Sequence, residues 1–218
     1  MKRTALLIDG GAPRSWANAM GLRYSGDLVE ELAYACLDEE REELIRILYY
    51  DCEPYDGVVT RPISGLRMEF TARTSFLDEI ATRERFAVRR GTLVFRGWQL
   101  RTYDLDPGEP LADEHFKPRF EQKGVDMRIG LDIANFAERG SVERLLLVAV
   151  DNDMVPAMKY ARRAGLEMGI VELPPPSRIS DELRRHADFS RRIAWNDDPP
   201  ISRPDPEDAS GENAVDAA

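Results

Sequence analysis

The sequence predicts an α/β fold, a three-layer α/β/α sandwich with a mainly parallel central sheet. Short apolar runs alternate with segments whose apolar residues recur at helical spacing, in the order β-α-α-β-loop-α-β-α-β-α-β. Such alternation is typical of parallel strands joined by right-handed helical crossovers. Residues 145–150 are six consecutive apolar residues, which indicates a central strand covered on both faces. We therefore expect helices on both sides of one sheet.

The first part of the chain is predicted to build two strands with helices between them. Residues 4–8 form an apolar strand ending at Asp9, and the two glycines after it permit a tight turn. The expected elements that follow are a helix opening at 13–16, a helix over 27–43, a strand over 45–51, and a Pro- and Gly-containing loop over 51–65.

The second part of the chain repeats this alternation. Four helices are predicted: one over 66–81, one whose first turn contains Asp126, one that follows Asp153, and one over 180–186. Strands are predicted over 86–103, 145–150 and 168–173. Residues 188–193 form an edge strand or the chain end. Residues 104–122 contain three prolines and mixed charge, so we expect an irregular, mobile flap there. Asp153 is expected to cap the helix that follows it.

The length and the charge distribution predict one domain with a tail. The 218 residues fit a single α/β domain over 1–196. The formal net charge is −10, and residues 197–218 carry seven acids against Arg203, which leaves −4 for the rest. That acidic segment has four prolines and few large apolar residues, so we expect it to be disordered.

The sequence contains no sign of secretion or of a membrane partner. Its first nine residues resemble a charged signal-peptide start, but the apolar run is too short and ends at an acid. No apolar stretch approaches the roughly 20 residues that cross a bilayer. The two cysteines, Cys36 and Cys52, form neither a disulfide framework nor a zinc motif. A cytoplasmic protein is therefore expected.

Four aspartates are expected to converge on one crevice, two at the carboxyl ends of strands, where ligands bind in open α/β sheets, and two at the starts of neighbouring helices. They are Asp9, Asp126, Asp151 and Asp153. Converging carboxylates need a cation, and oxygen ligands favour Mg²⁺ or Mn²⁺. Beside a phosphodiester, such ions support hydrolysis. The alternative is that Asp153 is only a helix cap and Asp151 an ordinary strand-end residue.

Arginine is concentrated between Arg61 and Arg101, where nine arginines and four acids give a local charge of +5. The planar guanidinium group suits phosphate contacts, so this region is predicted to bind RNA. The expected contacts are Arg89 and Arg90 first, with Arg67 and Arg73 on the exposed face of the predicted helix. A solvated charged face is the alternative.

The motifs together resemble the NYN-domain branch of the PIN-like nucleases. They are Ile8-Asp9-Gly10, Tyr49-Tyr50-Asp51, Gln122-Lys123-Gly124-Val125-Asp126 with Asp132, and Leu147-Val-Ala-Val-Asp151-Asn-Asp153. The resemblance spans about residues 4–190. It implies a PIN-like fold, a divalent metal, an RNA substrate, and an acidic site at Asp9, Asp126, Asp151 and Asp153. Within the same motifs, Asp132, Lys123 and Asn152 would support that site, although Asp132 lies almost two turns beyond Asp126.

One position departs from the family pattern, which has Asn three residues after the first acid where this chain has Ala12. This departure keeps a second function open, a catalytically weak or inactive module that binds RNA or a protein partner, or that self-associates. Other enzyme classes fit less well. Gly11 replaces the second acid of a haloacid-type phosphatase, a Gly-x-Gly-x-x-Gly run is missing, and Asp9 stands where a Toprim-type site has Glu.

Overall fold

The computed structural model describes residues 1–72, 75–101 and 110–194. Its strands are β1 (Lys2–Asp9), β2 (Glu42–Glu53), β3 (Gly57–Thr60), β4 (Arg67–Phe70), β5 (Phe86–Leu100), β6 (Phe116–Lys123), β7 (Arg144–Val148), β8 (Glu167–Glu172) and β9 (Phe189–Arg192). Its helices are α1 (Gly11–Ala19), α2 (Gly26–Ala35), α3 (Ser75–Thr82), α4 (Val125–Arg139), α5 (Val155–Arg163) and α6 (Asp181–Arg185). No helix in these ranges is long and apolar enough to cross a membrane.

Seven strands form one central sheet in the order β6-β5-β2-β1-β7-β8-β9. Strands β5, β2, β1, β7, β8 and β9 are mutually parallel, and only β6 runs antiparallel, at one edge. β3 and β4 form a separate antiparallel pair. β1 lies centrally, with Ile8 opposite Tyr49 on one side and Val148 on the other. The chain therefore leaves β1 toward β2 and later crosses back to β7.

Each face of the sheet is covered by its own helices. Side chains from α1, α2 and α3 pack with Leu6, Ile8 and Tyr49 on one face. Side chains from α4, α5 and α6 pack with Leu7 and Tyr50 on the other. Successive residues of a strand point to opposite faces, so each central strand supplies both cores. The predicted three-layer α/β/α sandwich is confirmed.

β5 continues well past its parallel neighbour. β2 ends at Glu53, which pairs with Thr92, and the last eight residues of β5 pair only with β6. We call this antiparallel extension, residues 93–100 with β6, the arm. At roughly 3.4 Å per residue it extends about 27 Å beyond the carboxyl edge of β2. A register shift between Phe95 and Trp98 marks a bulge within it.

Three predicted boundaries are wrong, and each error concerns an antiparallel strand or the start of a long parallel one. The expected helix over 66–81 is instead strand β4 followed by the shorter helix α3. Residues 67–70 form a strand because they pair with β3, which itself lies within the expected loop 51–65. The expected flap contains β6, an edge strand that tolerates Pro118. The helix expected over 27–43 ends at Ala35, because Glu42 already belongs to β2.

Some expectations concern residues outside the described ranges. Part of the expected flap, residues 102–109, belongs to these, as does the acidic segment 197–218. The single domain over 1–196 and the disordered tail therefore stay predictions. The predicted strand at 188–193 is confirmed as β9, and Ser180 caps α6 by accepting a hydrogen bond from the Leu183 amide at 3.1 Å.

Candidate active site

The acidic residues lie around the carboxyl ends of the central strands. Asp9 is the last residue of β1, and Asp151 follows β7, its parallel neighbour, by three residues. The connections from β1 and β7 leave the sheet in opposite directions, which makes their junction the topological switch point of the sheet. A crevice for a ligand is expected at such a junction.

Asp9, at the end of β1, is partly buried. The pKa of Asp9 is raised to about 6, chiefly by burial and also by the nearby charges of Asp126 and Asp51. The amide of Gly11 donates to Asp9 Oδ1 at 3.1 Å and, with the charge of Arg14, opposes this rise in pKa. Asp9 is therefore an acid whose negative charge the surrounding protein only partly compensates.

Asp126 connects the four predicted acids electrostatically. It lies exposed in the first turn of α4, as predicted. Partial burial raises the pKa of Asp126, and the charges of Asp151 and Asp153 raise it further. The charge of Asp126 in turn raises the pKa of Asp9. Asp126 is therefore close enough to interact electrostatically with the acid of β1 and with the acids after β7.

The segment after β7 is exposed and folds as a single 3-10 turn before α5. Asp151 Oδ1 accepts the Asp153 amide at 2.9 Å and caps this turn. The prediction that Asp153 caps the following helix is therefore wrong, because Asp151 is the capping residue and α5 begins only at Val155. The side chain of Asp153 keeps its carboxylate exposed. Asn152 Oδ1 accepts the Ser180 hydroxyl, which connects this turn to the start of α6.

The four carboxylates fit a hard divalent cation by donor chemistry. Mg²⁺ and Mn²⁺ prefer oxygen ligands, and a bound cation would offset the negative charges that raise the pKa values of Asp9 and Asp126. Within the described residues, no three His, Cys, Asp or Glu side chains are already grouped to hold a metal ion. The residues therefore match the predicted Mg²⁺ or Mn²⁺ in type, and their side chains would have to turn toward the ion.

A second polar cluster, which was not predicted as part of the site, adjoins Asp9. Asp51, 2 % exposed, forms a two-point ion pair with Arg14 and accepts the Tyr49 hydroxyl at 3.1 Å and the Cys52 amide at 2.7 Å. The Arg14 guanidinium lies 5.2 Å from the ring centre of Tyr24, whose hydroxyl is 2.6 Å from that of Tyr49.

Gly10 is what allows this cluster to lie against the turn after β1. A Cβ atom at Gly10 would be 2.5 Å from the Tyr49 hydroxyl and 2.9 Å from Asp51 Oδ2. The signal for Asp51 was present in the sequence, because it ends an apolar strand as Asp9 does. What the sequence did not show is that β1 and β2 pair with Asp9 opposite Tyr50, one residue from Asp51.

The residues expected to support the site have other partners. Asp132 accepts the Tyr50 hydroxyl and Arg89 Nε, each at 2.9 Å. Lys123, the last residue of β6, pairs with Glu121. The backbone turn at Gly124, with φ of +82°, then starts α4 and places Asp126.

The predicted RNA-binding arginines differ in how far their charge is already compensated. Arg89 pairs with Asp132, and Arg90 pairs with Asp78 and, at 2.9 Å, with Glu53. Arg67 lies exposed on β4. Arg73 lies outside the described residues. The two arginines that were the first expectation therefore already hold carboxylate partners.

Comparisons with known proteins support the fold alone. No protein-family model matches the sequence, and no curated protein matches it either. A crystal structure of a protein of unknown function from Vibrio parahaemolyticus is similar, with a TM-score of 0.50 and 16 % sequence identity. The match covers 88 % of this chain and 93 % of that one, so the α/β arrangement extends over most of both molecules.

Proposed function

We propose that this protein is a divalent-metal-dependent ribonuclease, a divergent NYN-type member of the PIN-like nucleases, which hydrolyses RNA phosphodiester bonds. The observation that carries the proposal is the position of Asp126, whose charge acts on Asp9 and which responds to Asp151 and Asp153. In this proposal, acids from β1, α4 and the turn after β7 act together at the switch point of the sheet.

In this proposal Asp9, Asp126, Asp151 and Asp153 hold Mg²⁺ or Mn²⁺. When bound, the ion activates water and neutralises charge on the leaving oxygen. The exposed carboxylates of Asp151 and Asp153 keep that side of the site open to solvent and to a polymer. Arg14, fixed by Asp51 and one quarter exposed, offers its remaining N–H groups to a phosphate near Asp9.

The test is cleavage of a labelled single-stranded RNA with Mg²⁺, with Mn²⁺ and with a chelator. We expect cleavage only with metal, and none by Asp126→Asn or Asp151→Asn. Glu31→Gln, an exposed acid on α2, is the control and should cleave as wild type does. Cleavage by wild type in chelator, or full activity of both Asp variants, would contradict the proposal.

Metal binding supplies a second measurement that does not depend on turnover. A ligand that binds the folded state raises its melting temperature, by an amount set by its concentration relative to its dissociation constant. Mn²⁺ should therefore raise the melting temperature of wild type and of Glu31→Gln more than that of Asp126→Asn. Equal shifts in all three proteins would show that the ion binds elsewhere.

A second candidate function is a PIN-like module that binds RNA or a protein without cutting RNA. Two observations favour it. Ala12, at the position of the family Asn, lies in α1, is buried in the core and brings no polar group to the site. In addition, no three-ligand group is preformed in the described residues. RNA binding without cleavage at any Mn²⁺ concentration would favour this function over hydrolysis.

A further inference from the structure

The arm stands beside the acidic site and extends past the edge where that site lies. β5 is parallel to β2 and β1, so its carboxyl end leaves the sheet on the same edge as Asp9. β6 returns along it to Lys123, three residues before Asp126. A polymer that enters the acidic site from this side meets the arm first.

The arm, β4 and the connection between β2 and β3 together carry a cluster of five aromatic rings. Tyr55 lies 5.3 Å from Phe120 and 5.7 Å from Phe70, and Phe95 lies 5.7 Å from Trp98 and 5.8 Å from Phe120, measured between ring centres. Tyr55 and Phe120 also adjoin the core on the α4 face of the sheet. This aromatic cluster therefore continues outward from the side of the sheet that carries Asp126.

These rings remain partly open to solvent, unlike the aromatic residues of the main core. All five are of intermediate exposure, whereas Tyr49 and Tyr50 are completely buried. Trp98 is held in place by a hydrogen bond from its Nε1 to the Thr60 carbonyl at 2.7 Å. A ring that is fixed by its neighbours and still exposed along part of its surface presents a preformed contact for a planar group.

The surroundings of the aromatic cluster carry positive charge at exposed positions. Arg61 and Arg67 flank the turn between β3 and β4, Arg101 follows β5, and Arg119 lies on β6. All four are exposed. Aromatic rings interleaved with exposed arginines are typical of surfaces that bind single-stranded nucleic acid, because bases stack on the rings while the cations attract phosphates.

We propose that the aromatic cluster of the arm is a stacking platform for unpaired RNA bases, which restricts the acidic site to single-stranded RNA. The proposal rests on the proposed ribonuclease function and adds the class of RNA. In a duplex the bases stack on each other and pair, so their faces are not available to the platform. A single strand can place consecutive bases on the rings while its backbone follows the arm toward Asp126.

The experiment measures binding in chelator, where no cleavage takes place. Wild type is titrated with a single-stranded RNA, with the same strand in a duplex, and with an abasic strand of equal length and charge. We expect the single strand to bind at least about fivefold more tightly than the abasic strand, the lower end of what stacking of one base contributes. The single strand should also quench tryptophan fluorescence, and this quenching should be absent in Trp98→Phe.

Matched variants separate stacking from folding. Trp98→Leu removes a ring of the platform and should weaken binding of the single strand by about fivefold or more while abasic binding is unchanged. Trp98→Phe keeps a ring and should bind within about twofold of wild type. Tyr160→Leu removes a 44 % exposed ring from α5 and should leave every affinity unchanged. Unchanged abasic binding also shows that the arm of the Trp98 variants is folded.

The outcomes for the platform and for the nuclease are distinguishable. Equal affinity for abasic and natural strands, or equal loss in the Tyr160→Leu variant, overturns the platform even if the protein cleaves RNA. Base-dependent binding without metal-dependent cleavage supports the platform and contradicts the nuclease function. If no strand binds and Trp98→Leu instead disrupts self-association or binding of a protein, the arm is a protein interface and the platform is refuted.

Discussion

Asp9 sits where a charged side chain is least compatible with its surroundings, at the end of a buried strand. Burial and the charges of Asp126 and Asp51 raise the pKa of Asp9 to about 6. The carboxyl group of Asp9 therefore binds its proton more tightly in the folded protein than in the unfolded chain. Above pH 6 the ionised carboxylate therefore costs stability. As the pH falls toward 4, Asp9 is protonated in the fold and this cost disappears.

We therefore predict that Asp9→Asn stabilises the metal-free protein at pH 7.5, by up to about 3 kcal/mol, and has little effect near pH 4. Asn keeps an oxygen that can accept the Gly11 amide. Urea unfolding in chelator at both pH values measures the difference, with Glu31→Gln as the control. A variant less stable than wild type at pH 7.5, or a gap that does not change with pH, would contradict this account of Asp9.

The Arg14–Asp51 pair is a second residue-scale test, because Asp51 is almost fully buried. Removing one partner of a buried pair leaves a charge without compensation, so Asp51→Asn should destabilise the fold by about 3 kcal/mol. In the double variant with Arg14→Gln the loss should be clearly smaller than the sum of the single losses. Arg41→Gln, which removes an exposed pair with Asp38 at 3.6 Å, should cost less than about 1 kcal/mol. Additive losses in unfolding experiments would show that Arg14 and Asp51 are not coupled.

At this scale the sequence placed individual acids well and their partners poorly. Asp9, Asp126 and Asp151 could be located because each adjoins an apolar strand or begins a helix. The Arg14–Asp51 pair joins residues 37 positions apart, and it forms only because β1 and β2 are neighbours in the sheet. No local pattern contains that information.

At the scale of elements, α4 is the helix that carries Asp126, and a glycine fixes where it begins. Gly124 has φ of +82°, a conformation that costs an L-residue roughly 1–2 kcal/mol. Gly130 lies within the same helix with ordinary helical geometry, and a Cβ there would meet only Ala157 Cβ at 3.9 Å. The two glycines of one helix thus have opposite requirements.

Gly124→Ala should therefore destabilise the protein by about 1–2 kcal/mol, whereas Gly130→Ala should stabilise it by about 0.5–1 kcal/mol. If the start of α4 also positions Asp126, Gly124→Ala should lower metal-dependent activity under conditions in which both variants are fully folded. Thermal melting and cleavage assays give the two measurements. A Gly124→Ala protein as stable as Gly130→Ala would show that the turn before α4 has no strict backbone requirement.

Elements that depend on local periodicity were predictable, and those that depend on antiparallel partners were not. β7 and α4 have strong apolar patterns of their own. β4 has only four residues and pairs with β3. β6 contains Pro118 and several charged residues. Neither sequence therefore has an apolar pattern strong enough to predict a strand. Their structure comes from contacts with β3 and β5, which are tertiary in origin.

At the scale of the whole molecule, a buried ion network joins strands across the amino edge of the sheet, opposite the acidic site. Glu42 at the start of β2 is fully buried and accepts hydrogen bonds from Arg144 on β7, Arg191 on β9 and the Asp38 amide. Burial alone would raise the pKa of Glu42, but these hydrogen bonds outweigh it and hold the pKa below its usual range. One carboxylate therefore connects three strands.

We predict that Glu42→Gln destabilises the fold by about 3 kcal/mol or more at pH 7, because two largely buried guanidinium groups lose their common carboxylate. The neighbouring Glu43→Gln, an exposed position, should change stability by less than about 0.5 kcal/mol.

The contribution of Glu42 to stability should also depend on pH. Because folding lowers the pKa of Glu42, this contribution is complete above the pKa of the unfolded chain, near 4.5, and is lost as the pH falls through the pKa of the folded protein. The gap between wild type and Glu42→Gln should therefore narrow in acid. The Asp9→Asn gap also narrows in acid but has the opposite sign, because ionisation of Asp9 destabilises the fold whereas ionisation of Glu42 stabilises it. Urea unfolding between pH 3 and pH 7.5 measures the gap, and one that stays constant or widens in acid would show that Glu42 stabilises the sheet by packing and not by its charge.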